Sequence, residues 1–126
     1  MTTRPSRWWR RRRESVQDAE LVAALATAMI VKDAAGIRRL LDAEVTMVVD
    51  GGPLDLGGEL IGRDVAAVEL LSYPPDLAVV GINGAPGIVA RRDGEVVATV
   101  SAVARRGLIV TLWSVRNPDK LRHWDS

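Results

Sequence analysis

Cysteine is absent from the 126 residues, which excludes disulfides, thiolate metal sites and cysteine nucleophiles together. Histidine occurs once, as His123, so a His-rich zinc or iron site cannot be assembled. No apolar run approaches the ~20 residues that span a bilayer as a helix. The stretch from Met1 to Arg13 also lacks the apolar segment of a secretory signal. The expectation is a cytoplasmic protein with no membrane segment, no metal and no cofactor. What is present is globular: 48% of residues are hydrophobic and 26% charged, a composition that buries a core. The length accommodates one such core.

The formal net charge of +1 conceals two unlike parts. Residues 1–13 hold six arginines and no acid, whereas residues 14–126 hold 11 basic and 16 acidic groups, a net of −5. This divides the chain into a basic, disordered arm (1–14) and a single domain (15–126). Arginines beside the indoles of Trp8 and Trp9 can pair with phosphates and stack on bases. A run of like charge is also the ordinary signature of a solvated tail. Both readings of the arm, weak polyanion contact and simple solvation, stay open.

Hydrophobic periodicity organises the rest. Leu21, Val22, Leu25, Ala28 and Met29 recur at helical spacing, so a helix is expected from Val16 to Val31, started by Ser15. Asp33 caps a second helix that buries Ile37, Leu40 and Leu41. The period then shortens: residues 44–50 read as a strand stopped by Gly51, Gly52 and Pro53, and Leu60-Ile61 as a brief one. Asp64 is expected to cap a third helix with Val65, Val68, Leu71 and Leu70 inward, ended by Pro74-Pro75. Four strands follow, over residues 77–83, 87–92, 95–104 and 108–116. Asn83-Gly84, Asp93-Gly94 and Arg106-Gly107 suit the tight turns between them. The expected class is α+β, with helices packed over one face of an antiparallel sheet.

In the strand 95–104, Val97, Thr99, Ser101 and Val103 alternate with Val96, Ala98, Val100, Ala102 and Ala104. The second row is small and apolar. It is expected to meet a second protein surface, such as another copy of this chain, or to lie under a loop or the tail. The first row, extended by Thr111 and Trp113, is expected to face a cavity.

The order of elements, with Asp50-Gly51-Gly52 after the first strand and residues 117–123 (NPDKLRH) after the last, resembles a known family. The likeness is to the SnoaL-like domain, of nuclear-transport-factor-2-like fold, fused to the C-terminus of certain extracytoplasmic-function sigma factors. It covers residues 16–123, and Ile82-Asn83-Gly84 before Pro86-Gly87 adds to it. The resemblance implies a cone of three helices on a curved, mainly antiparallel sheet. It implies a regulatory or interaction module whose partners are a second copy or sigma-factor domains, with room for a small hydrophobic ligand. Two departures stand out: Pro53-Leu54-Asp55 follow the DGG turn where the family has glycine and a basic residue, and the helical sigma domains are not in this sequence. The family's wider fold also includes polyketide cyclases and isomerases, so a small-molecule binder or enzyme is the alternative.

Candidate residues follow from chemistry. Enzymes of this type need carboxylates of raised pKa. Asp50 is either a turn residue or such an acid, and Asp64 is better read as a helix cap. Tyr73 either lines a cavity or packs a helix end. Thr99, Ser101, Thr111 and Trp113 offer hydroxyls and an indole for a ligand, but no group that moves protons at neutral pH. In the tail, Asn117, Pro118, Asp119, Lys120, Leu121 and Arg122 form either a staple to the body or a contact surface with Leu121 as its apolar anchor. His123 reads as a surface or capping group, and Trp124 as an indole that needs a cover.

Overall fold

The computed structural model describes residues 7–52 and 57–122, with side chains described from residue 18 onward. The elements run α1 (Arg7–Ile30), α2 (Ala34–Leu40), β1 (Leu41–Asp50), β2 (Gly58–Ile61), α3 (Arg63–Leu71), β3 (Asp76–Ile82), β4 (Ala85–Arg92), β5 (Glu95–Arg105), β6 (Leu108–Val115) and α4 (Pro118–Leu121). The six strands form one sheet in the order β2-β1-β6-β5-β4-β3. Every neighbouring pair is antiparallel except β1 with β6. The first three helices lie on one face and α4 on the other, which is the expected α+β class.

The turns explain the antiparallel half. Asn83, Asp93 and Arg106 have φ of 50°, 54° and 56°, and the glycine after each is also at positive φ. That pair of left-handed residues defines the hairpin turn whose twist matches its strands. Helix α1 begins at Arg7 rather than at Val16. Arginine is a good helix former, and neither glycine nor proline occurs between Pro5 and Gly36, so the helix runs through Ser15 instead of being capped by it. Residues 1–6 of the expected arm lie outside the described residues. Lys32, at φ 58°, turns the chain after α1. Its Nζ donates to the carbonyl oxygens of Leu71 (2.8 Å) and Tyr73 (2.7 Å), placing a cation on the C-terminal end of α3. Asp33 caps α2 as expected, its Oδ1 accepting from the Gly36 N–H at 2.9 Å.

Helix α3 buries a different stripe from the one expected. On α3, Val65 and Val68 are exposed, and the buried residues are Ala66, Ala67 and Leu70. The two alanines let α3 lie close on β1, which the wider valines would prevent. Asp64 does not cap α3: the capping position is Gly62, and no side-chain hydrogen bond closes that end.

The two faces of β5 also differ from expectation. Ala98 and Val100 are buried with Val22, Leu25, Met29 and Ile37 of the helices and with Met47 and Leu112 of the sheet. The small apolar row is therefore the helix-covered core, not a surface awaiting a partner. A register irregularity between Ala90 and Arg91 breaks the alternation, so Val96 packs with Val89 on the opposite face while Val97 joins the core side. Among the described residues no helix is long and apolar enough to cross a membrane.

Candidate functional site

The row expected to line a cavity, Val97 apart, lies on the face that α1, α2 and α3 leave open. Register places Ser101 beside Trp113, Val103 beside Thr111, and Thr99 between Val89 and Val115. Trp113 remains 54% exposed and Val103 53%, while Thr99 is buried. Between these strands and the β3–β4 turn runs an open groove of about 580 Å³, lined by Ile82, Asn83, Thr99, Ser101, Trp113 and Lys120 among others. Thr111 shares the face but not the groove. At Gly87, the groove-side neighbour of Ser101, a Cβ would lie 2.9 Å from the Val100 carbonyl and would press on Ile82. Three expected residues thus converge on one concave surface that offers hydroxyls and an indole face.

The two stretches that carry the family resemblance, 70 residues apart, meet at one end of this groove. The backbone carbonyl of Asp50 accepts from the Arg116 N–H at 2.7 Å. Its Oδ1 accepts from the Gly52 N–H at 3.3 Å, and its Oδ2 pairs with the Lys120 ammonium. Gly52 sits at φ +77°, and a Cβ there would lie 2.9 Å from Asn117 Oδ1, so only glycine fits the junction without strain. The hydrogen bond and charge of Lys120, with the Gly52 N–H and the Asn117 side chain, hold the Asp50 carboxyl below the usual carboxylate range, against desolvation acting in the other direction. Asp50 is an ionised tie between β1 and the tail, which is the opposite of a raised-pKa acid. Pro53-Leu54-Asp55 lie outside the described residues.

The tail is correspondingly docked. Asn117 caps α4 by accepting from the Asp119 N–H at 3.1 Å. Leu121 is buried at 3% exposure against Val89 and Val96. Pro118, Asp119 and Arg122 point to solvent, the last two paired at 2.9 Å. Asn117, Lys120 and Leu121 are thus committed to the body. His123 and Trp124 lie outside the described residues.

On the covered face, Tyr73 is a core residue whose hydroxyl is hydrogen-bonded to Ser114 Oγ, itself fully buried. Beside this end of the sheet Arg116 pairs with Glu69 of α3 at 3.0 Å. Ser114, Glu69 and Arg116 were not among the expected residues. Ser114 was legible, because it shares the parity of Leu112; the Glu69–Arg116 pair joins distant segments and leaves no local signal. Asp64 is exposed and lies 3.9 Å from Arg38. Among the described residues, no three of His, Cys, Asp and Glu come together to hold a metal ion.

No family model matches the chain, and neither does any curated protein. Solved structures do. The Mycobacterium tuberculosis extracytoplasmic function sigma factor SigJ matches 84% of this chain at 21% identity and a TM-score of 0.68. The match covers 44% of the sigma factor, so this chain spans less than half of that protein's length. A protein from Kribbella flavida, provisionally called a ketosteroid isomerase, matches 81% of this chain and 78% of its own at 16% identity, with a TM-score of 0.62. An NTF2-like protein of unknown function from Burkholderia xenovorans matches 82% and 85% at 14% identity, also with a TM-score of 0.62. At these identities the likeness speaks for the fold, and the fold is NTF2-like.

Proposed function

We propose that this chain is a regulatory protein-contact module that works through the sheet face that α1, α2 and α3 leave open. The observation that carries the reading is an indole and a valine standing open on that face while the C-terminal helix beside them is pinned down. Exposed tryptophan at the centre of a partly apolar surface is the usual anchor of a protein contact. The likeness to part of a sigma factor supports sigma-type domains as the occupant, and the exposed apolar side chains of the face suit a second copy of the chain. The ionised, ion-paired Asp50 and the exposed Asp64 favour contact over proton transfer.

Light scattering on the 126-residue chain tests this. The expected mass is that of two chains, falling to one in Trp113→Lys with an unchanged thermal melt. A one-chain mass for the wild type, together with no co-elution with the part of the M. tuberculosis sigma factor that this chain does not match, overturns the reading. The groove favours a second reading, a small-molecule binder of the cyclase or isomerase kind. Saturable quenching of tryptophan fluorescence by a flat apolar ligand, lost in Ser101→Val with Thr99→Val, is the result expected of it.

A further inference from the structure

Away from the open face, the helical layer carries a concentration of positive charge in an acidic body. Arg38 and Arg39 from α2 and Arg63 from the first turn of α3 line one cleft of about 320 Å³, together with Ala35 and Asp64. They are three of the 11 basic residues in a segment whose net charge is −5. Among the described residues nothing uses their donors fully. Arg38 reaches Asp64 only at 3.9 Å, and Arg39 reaches Asp33 only at 4.0 Å. Among the described residues none of the three guanidinium groups makes a hydrogen bond within the protein. The α3 end that borders the cleft has no side-chain cap, so its first N–H groups also point outward without one.

We propose that this α2–α3 cleft is a binding site for a phosphate group, gripped by Arg38, Arg39 and Arg63. Guanidinium forks match the planar oxygen pairs of phosphate, and three of them suit a dianion better than a single carboxylate. The cleft volume is at the lower limit of ligand pockets, about 300 Å³, which suits a small phosphorylated group. The uncapped helix end adds partial positive charge on the same side. Asp64 is the one group in the lining that opposes an anion, and this separates the proposal from a purely structural role. If Arg38 merely tied α2 to α3 through Asp64, removing that carboxylate would loosen the cleft. If the cleft binds phosphate, removing it strengthens binding.

The test titrates the full chain with inorganic phosphate at constant ionic strength, with chloride as the reference anion, followed by melting temperature and calorimetry. The expected result is a saturable stabilisation by phosphate that chloride does not give. Arg63→Gln is expected to weaken it about tenfold, the loss of one charge-assisted contact. Asp64→Asn is expected to tighten it about threefold, the scale of an exposed charge interaction. A short single-stranded oligodeoxynucleotide identifies the source of the phosphate: weakened binding in Arg63→Gln supports a nucleic-acid backbone, and unchanged binding supports a free phosphate or its small ester. Phosphate acting no differently from chloride, or Asp64→Asn binding more weakly than wild type, overturns the proposal.

Discussion

Val100 and Ser101 are consecutive residues of β5, yet they inhabit different worlds. Val100 is 1% exposed in the core beneath the helical layer, and Ser101 borders a groove open to water. The same contrast repeats on β6 between Leu112, sealed in the core, and Trp113, which stands half in solvent. In the sequence the two rows look alike, for both mix small and β-branched residues. The helices make the difference. Alanines at 98 and 102 let α1 come down on the row beside Val100, while the bulky indole is carried on the side that no long helix crosses.

The sharpest way to break this comparison is to place the same charge on each face. Val100→Asp buries an unpaired carboxylate and is expected to abolish cooperative unfolding, whereas Ser101→Asp is expected to melt like wild type; circular dichroism reads both. Truncation gives the next largest contrast. Leu112→Ala is expected to cost about 2–5 kcal/mol in urea denaturation, and Thr111→Ala to stay within about 0.5 kcal/mol. Tyr73→Phe strands the buried Ser114 hydroxyl and is expected to cost about 1–3 kcal/mol. A Tyr73→Phe, Ser114→Ala double variant should recover part of that loss, which a double-mutant cycle measures.

The smallest effect concerns the tie between the open face and the tail. The folded-state pKa of Asp50 is depressed, so its stabilising contribution is complete above the unfolded value of about 3.9. It is lost as the pH falls through the lower folded value. Hydrogen exchange of the α4 amides is therefore expected to stay slow at pH 5 and to accelerate below about pH 4. In Lys120→Met that acid transition should disappear, and α4 should exchange faster at neutral pH.

The parts of the fold that were legible are those decided within a few residues. Asn83-Gly84, Asp93-Gly94 and Arg106-Gly107 demand positive φ, so each dictates a hairpin wherever it occurs. The Asp33 cap, the helical stripe of Leu25 and Met29 and the short helical tail after Asn117 are local in the same way. The stripe on α3 was misread because alanine carries little hydrophobic signal, yet it is what close helix–sheet approach requires. The face of β5 was misread because a period of two shows that two rows exist and not which one a helix covers. Of the candidate site, Thr99, Ser101 and Trp113 were found to converge, while Tyr73 resolved into a core residue and Asp50 into an ionised tie.

Alternation, turn chemistry and capping, all consequences of backbone geometry over short spans, determined from the sequence alone that this chain forms helices over a meander of strands. Which face the helices cover, how Asp50 and Lys120 meet, and how three arginines come to share one cleft were decided only by the tertiary structure. Those outcomes depend on packing and charge between segments far apart in the chain, and no local preference encodes them.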